Sequence, residues 1–133
     1  MIGNTTDEFQ VAPAPDVTPE AFAREKMGPY AQTYLEICGR SGLPMEKAVA
    51  IGQMDLGNKL MCEICAGQGR KLYSYVFGPT IPGDDAGAFH SSDLWFEFET
   101  LMKCWRPFDG HHYDLARKMC NYWANFAKTG DPN

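Results

Sequence analysis

Residues 87–98 read GAFHSSDLWFEF and place His90 in a loop of small residues, directly before a run of large aromatic side chains. Imidazole is the side chain whose unperturbed pKa lies nearest neutral pH, so a histidine on a loop that enters a packed element is a candidate general acid or base. The alternative is that His90 caps or decorates the start of a helix. The local sequence leaves both interpretations open.

Cysteine chemistry is a second possibility, because Cys62 and Cys65 in the segment CEIC have the spacing of a redox or zinc-binding pair. A zinc site needs further ligands at matching spacing. The nearest candidates, His111 and His112, are adjacent in sequence and poorly placed to bind one ion together. On a helix the two cysteines lie at i and i+3 on one buried face. We therefore interpret them as structural and expect no metal and no cofactor.

Local signals predict the elements that must position these residues. Thr18 before Pro19 is a helix cap with a first-turn proline, and Gly130 follows the apolar repeat of the last helix as a typical stop. In chain order we predict a truncated strand at 1–4, a proline-rich connector at 11–19, helices at 19–27, 29–38 and 44–66, a strand at 72–77, a loop at 78–88, and helices at 91–105 and 115–128.

Two of these elements carry more detailed expectations. The strand LYSYVF places large aromatic residues on one face and smaller or aliphatic ones on the other, which fits a sheet covered by helices on both faces. Ser91 and Ser92 are expected to cap the helix after His90, and Gly52 and Gly57 to weaken the helix at 44–66. One interior strand cannot form a sheet alone, so the pattern predicts part of an α/β fold that is mostly helical with one or two strands.

Composition narrows the class of protein. The 133 residues are 44% hydrophobic and 13% aromatic, as expected for one globular domain spanning 1–133. A net charge of −5 without a lysine or arginine cluster argues against nucleic-acid binding. No apolar run approaches the roughly 18 residues of a membrane span, and MIGNTTDEFQ lacks the features of a signal peptide. With an odd count of five cysteines, we expect a reducing, cytoplasmic location, although a signal peptide could lie upstream.

Four stretches, GNTTDEF, LYSYVF, GAFHSSDLWFEF and NYWANFAKTGDPN, occur in this order along the chain. Together they closely resemble the C-terminal part of the type-B carboxylesterases, the family of carboxylesterases, cholinesterases and bacterial para-nitrobenzyl esterases. The resemblance covers essentially the whole chain and corresponds to roughly the last quarter of a family member. It implies that the chain is a C-terminal fragment of an α/β-hydrolase fold.

The resemblance also implies catalytic roles. The family hydrolyses carboxylic esters with a Ser–Glu–His triad, and its acid falls on Glu8 and its base on His90. Asp93 occupies the place of a second acid that follows the histidine in relatives. Asp7, next to Glu8, is a neighbour that could be confused with the triad acid. The order nucleophile, acid, base agrees with this fold.

This sequence departs from the family pattern at the nucleophile. The chain contains no G-x-S-x-G motif, and the nearest imitation is GRSG at 39–42, followed by Leu43, which we interpret as a helix stop. The glycine-rich oxyanion hole of the family is missing as well. We therefore expect the isolated chain to be inactive and to act on a small-molecule ester only if the missing N-terminal part is supplied.

Other functions stay open at this point. The chain could be a non-catalytic oligomeric remnant or a binding module of α/β-hydrolase descent, or a small metal or redox protein built on CEIC, His90 and the histidine pair. Unpaired strand edges and apolar helix faces predict a homo-oligomer. The sequence does not indicate which ester would be the substrate.

Overall fold

A computed structural model describes residues 1–8 and 13–133 of the chain. The strands are β1 (Ile2–Thr5) and β2 (Ser74–Phe77), and the helices are α1 (Pro19–Met27), α2 (Ala31–Gly39), α3 (Met45–Ile51), α4 (Gln53–Gly67), α5 (Leu94–Glu97) and α6 (Gly110–Thr129). Single turns of 3₁₀ helix occur at Gly28–Tyr30 and Leu101–Lys103. The predicted connector at 11–19 begins at Val11 and Ala12, which lie outside the described residues. Within the described ranges, no helix is both long and apolar enough to span a bilayer.

The chain forms two compact units. The first combines Met1–Asp7 with Tyr75–Asn133, and the second comprises Glu8–Ser74. The candidate base therefore lies in the first unit, which is assembled from two stretches that are distant in sequence.

The first unit is built on a two-stranded sheet in which β1 pairs with β2. The Thr6 amide donates to the Phe77 carbonyl at 2.9 Å, and a parallel bridge joins Asp7 to Phe89 beyond the strands. The core contains these buried residues: Phe77, Ile81, Ala88, Phe96, Leu101, Ala116 and Met119. This core fixes the segment between β2 and α5, which carries His90.

The end of α6 confirms the sequence prediction for the last helix, whereas its start was predicted at 115 and lies at Gly110. Asp109 occupies the N-cap and its carboxylate accepts a hydrogen bond from the His111 amide. At the other end Gly130 adopts a φ of 78°, the left-handed conformation that ends a helix. Lys128 in the last turn interacts favourably with the helix dipole.

The second unit is all helical, with its own core. Phe22 of α1, Tyr34 of α2 and Val49 of α3 are buried there. The Tyr34 hydroxyl donates to the Val49 carbonyl. The predicted cap of α1 is confirmed, since the Thr18 hydroxyl accepts from the Ala21 amide at 3.2 Å.

Two helix predictions were wrong in part. The helix expected at 44–66 is interrupted at Gly52, which ends α3 and precedes α4, as expected for a glycine that weakens the helix. A Cβ at this position would lie 2.8 Å from the Cys38 sulfur. The helix expected at 91–105 is reduced to α5 and a 3₁₀ turn, because Glu99 adopts a left-handed φ of 49° that stops propagation.

The outer face of β2 differs from the expectation of a sheet covered on both sides. In the described structure Tyr75 and Phe77 are at least half buried, whereas Val76 is 62% exposed. An apolar cavity of about 410 Å³ lies beside this strand, lined by Val76, Met119, Tyr122 and Trp123 among others. The predicted homo-oligomer stays a proposal, which this exposed surface motivates.

We expect light scattering to give a mass above that of a monomer at micromolar concentrations. Val76→Lys should lower that mass, because it places a charge on the exposed apolar face. Asn121→Lys adds the same charge at an exposed position of α6 and is the control. A monomeric mass for the unmodified chain at all concentrations would refute self-association.

Candidate active site

The loop that carries His90 is joined to the end of β1 by Asp7. The Asp7 amide donates to the Ala88 carbonyl at 3.1 Å, and the Ala88 amide donates to the Asp7 carboxylate at 2.9 Å. The Thr6 hydroxyl donates to the same carboxylate oxygen, also at 2.9 Å. The backbone amide of Asp7 thus binds the Ala88 carbonyl, and the Asp7 carboxylate binds the Ala88 amide. These two bonds fix the register of the loop against β1.

Gly87 makes this close approach possible. Its φ of 65° lies in the left-handed region, and a Cβ at this position would lie 2.5 Å from an Asp7 carboxylate oxygen. Any other L-residue here would meet both a conformational and a steric penalty. The small residues before His90 are therefore explained by the contact with Asp7.

His90 occupies the second position of a tight turn. The Ser92 amide donates to the Phe89 carbonyl at 2.9 Å, and Ser91 at the third position has a φ of 67°, as in a type II turn. His90 is exposed, whereas Ser92 is fully buried. The expectation that Ser91 and Ser92 cap the next helix was wrong. Asp93 is the N-cap residue of α5, without a side-chain cap bond.

Glu8 follows Asp7 directly and is buried, with 9% of its surface exposed. The bridge between Asp7 and Phe89 joins the two residues that immediately precede Glu8 and His90 in sequence. The structure thus brings together the backbone positions just before the predicted acid and the predicted base.

Arg106 is a buried cation beside the same loop, with a side chain only 6% exposed. Its guanidinium binds both oxygens of Asp84, at 2.8 and 2.7 Å, and donates to the Pro82 carbonyl at 2.9 Å. The hydrogen bond from Arg106 holds the pKa of the Asp84 carboxyl below its usual value. The ion pair with Asp84 and the hydrogen bond to Pro82 thus attach the loop at 78–88 to Arg106.

Asp93, shortly after the His90 turn in sequence, belongs to a cluster with Glu97 and Tyr75. The Tyr75 hydroxyl lies 3.0 Å from the Asp93 carboxylate and 3.3 Å from that of Glu97. Burial and then the charge of Asp93 raise the pKa of Glu97 above its ordinary value, against the hydrogen bonds from Tyr75 and Trp123, which lower it. Because one hydroxyl proton serves two carboxyls, a proton on Glu97 would complete the chain of hydrogen bonds.

Asp109, His111 and His112 place three potential metal ligands within 4.8 Å of one another. Both ring nitrogens of His112 have partners, since Nδ1 accepts from the Asp109 amide at 3.2 Å and Nε2 lies 3.1 Å from the Thr80 carbonyl. The group is a capping box at the start of α6. It supports a structural role for the two histidines.

Sequence reasoning missed the residues that hold the loop. Asp7 was noticed only as a neighbour of Glu8, and Arg106, Asp84 and Tyr75 were not singled out as site residues. The spacing of Asp93 and Glu97 is i and i+4, which places two acids on one helical face. That spacing was the one local signal that could have indicated the acid cluster.

Comparisons with known proteins agree with this architecture. The family model described as "Carboxylesterase family" matches residues 45–133. The chain is 31% identical to the bile salt-activated lipase of Rattus norvegicus over 100 residues, 67% of this chain and 16% of that one. It is 31% identical to the acetylcholinesterase of Gallus gallus over 72 residues, 51% of this chain and 9% of that one. The chain thus spans less than a fifth of the length of these relatives.

A solved structure of similar fold is an esterase from the anaerobe Clostridium hathewayi that can hydrolyze aliphatic aromatic polyesters. It superposes with a TM-score of 0.62 at 21% identity, over 98% of this chain and 28% of that chain. The predicted fold class is confirmed, namely part of an α/β-hydrolase fold, mostly helical with two strands. Because the family model covers more than half of the residues, the chain belongs to the carboxylesterase family.

We expect Gly87→Ala to lower the free energy of unfolding by about 3 kcal/mol, from the left-handed backbone and the displaced Asp7 hydrogen bonds. Gly110→Ala is the matched control in the same unit, because a Cβ there meets no atom within 4 Å. Urea unfolding of both variants tests the prediction. Equal stability of the two would show that the Asp7 contact is not tight in solution.

Glu97→Gln tests the acid cluster. Since the folded-state pKa of Glu97 is raised, the carboxyl contributes stability below the ordinary pKa of about 4.3 and loses it as the pH rises through the raised pKa. The free energy of unfolding of wild type relative to Glu97→Gln should therefore fall as the pH rises above the ordinary glutamate pKa of about 4.3. The exposed Glu99→Gln is the control, and parallel pH profiles for wild type and Glu97→Gln would contradict the prediction.

Proposed function

We propose that this chain supplies the general base and its orienting acid to a serine carboxylesterase, with His90 as the base and Glu8 as the acid. The observation that carries the proposal is the parallel bridge between Asp7 and Phe89, the residues immediately before the two. In such a bridge the following residues of both segments leave in the same direction. Membership of the carboxylesterase family supports ester hydrolysis as the reaction.

In the proposed mechanism His90 accepts and then donates one proton in each half of the reaction. His90 takes the proton of a serine hydroxyl as its oxygen attacks the acyl carbon, and then donates it to the departing alcohol. It next takes a proton from the water that hydrolyses the acyl-enzyme and returns it to the serine. Glu8 would hold the imidazole in one tautomer and stabilise the imidazolium.

The nucleophile must come from outside the 133 residues, which contain no G-x-S-x-G sequence. An exposed His90 on a rigid turn suits a base that receives its partner from another segment. A tight turn, the Asp7 hydrogen bonds and the Phe89 backbone all restrict its position. Asp93, linked to Tyr75 at 3.0 Å, would hold the other end of that turn.

A chimera tests the proposal most directly. We would replace the aligned 28% of the Clostridium hathewayi esterase with this chain, so that the remaining part supplies the serine and the oxyanion hole. We expect measurable hydrolysis of an aryl ester. His90→Ala should lower kcat by at least about 1,000-fold, and Glu8→Gln by at least about 100-fold.

His111→Ala and Glu63→Gln are the matched controls, since both residues are exposed and have no proposed catalytic role. They should leave kcat within about twofold of the chimera. An active chimera that tolerates His90→Ala would overturn the assignment of the base. A folded chimera without activity would favour a non-catalytic module instead.

A further inference from the structure

Arg106 connects the two halves of the His90 loop. Its guanidinium binds the loop backbone at Pro82 and the Asp84 side chain through three hydrogen bonds. The same guanidinium carbon lies 5.1 Å from the ring centre of Phe89, the residue before His90. The loop is thus held at Pro82 and Asp84 by hydrogen bonds, and at Phe89, next to His90, by a cation–π contact.

Trp95, which follows the His90 turn in sequence, contacts both Phe89 and the Arg106 guanidinium. Trp95 of α5 lies 6.0 Å from the Arg106 guanidinium and packs edge to face on Phe89 at 5.7 Å between ring centres. Since Phe89 precedes and Trp95 follows the turn, the backbone on either side of His90 is restrained through one buried cation.

We propose that Arg106, through its ion pair with Asp84, is a positioning residue that sets the orientation of the His90 imidazole. The role as positioning residue for catalysis depends on the proposed function of His90. The restraint on the His90 turn is a property of this chain alone and is testable without any reaction.

The chemistry of the contact requires arginine. Two parallel hydrogen bonds to a carboxylate are a property of a planar guanidinium, which a lysine ammonium cannot reproduce. The Asp84 carboxylate also accepts the Ala86 amide at 3.1 Å. The ion pair therefore orders the loop backbone as well as neutralising a buried charge.

A purely structural role would give a different response. If Arg106 only stabilised the core, its loss would lower the stability of the unit as a whole and speed amide exchange in α6 and the loop together. If it positions His90, local opening of the loop should increase while the helix keeps its protection.

The experiment compares wild type, Arg106→Lys and Asp84→Asn in the full chain by NMR. Hydrogen exchange at the Ala88 amide should become at least about tenfold faster in both variants, with Met119 in α6 unchanged. Long-range ¹H–¹⁵N spectra of the His90 ring, assigned with His90→Ala, should show a changed ratio of the two tautomers. Asp84→Asn keeps Arg106 in place and tests the ion pair if Arg106→Lys does not fold.

Arg117→Lys is the matched control, because its ion pair with Asp114 is exposed on α6 and should change neither readout. Uniformly faster exchange with an unaltered His90 spectrum would overturn the proposal and leave Arg106 as a core residue. In an active chimera, Arg106→Lys should reduce kcat by about tenfold or more with a smaller change in KM. An inactive chimera would refute the proposed function, while the NMR result would still decide the restraint on His90.

Discussion

The hydrogen bonds between Asp7 and Ala88 are the interaction on which the rest of the candidate site depends. They join the end of β1 to a loop that lies 81 residues further along the chain, and they fix which loop residue stands opposite which strand residue. If this register slipped by one residue, the positions of Glu8 and His90 relative to the bridge would no longer match. Gly87 and Ser91 on this loop both adopt the left-handed backbone conformation, which a glycine accepts and which strains a serine.

Three carboxylates of the first unit lie on the His90 loop or on the helix that follows it. One carboxylate, that of Asp84, has an arginine as its partner. Two others, those of Asp93 and Glu97, share one phenol hydroxyl. Partial burial, and then the negative charge of Asp93, disfavour the ionised form of Glu97 and raise its pKa. The turn that carries His90 is thus preceded in sequence by Asp84, the ion-pair partner of Arg106, and followed by two carboxylates that share the Tyr75 hydroxyl.

The sequence predicted the features that depend on neighbouring residues. The cap of α1 at Thr18 and the end of α6 at Gly130 follow from such signals and were confirmed, and the strand predicted at 72–77 is observed as Ser74–Phe77. The weakening of the helix at Gly52 was expected, but the short α5, which ends before the left-handed Glu99, was not. The contacts of Asp7 and Arg106 could not be predicted, because their partners are 81 and 22 to 24 residues away. The family motif predicts His90 as the base, but the contacts that hold its loop required the three-dimensional structure.

The first unit is assembled from the two ends of the chain, with residues 8–74 between them. Pairing Asp7 with Ala88 closes a loop of this length at an entropic cost of about 4 kcal/mol, from the (3/2)RT ln n dependence. Contacts of lower sequence separation, such as those of α5 with α6, carry a closure cost about 1 kcal/mol smaller by the same dependence. The Asp7–Ala88 contact therefore costs more to close than the packing of the last helix against α5. The geometry around His90 thus depends on a contact between two segments that are 81 residues apart in sequence.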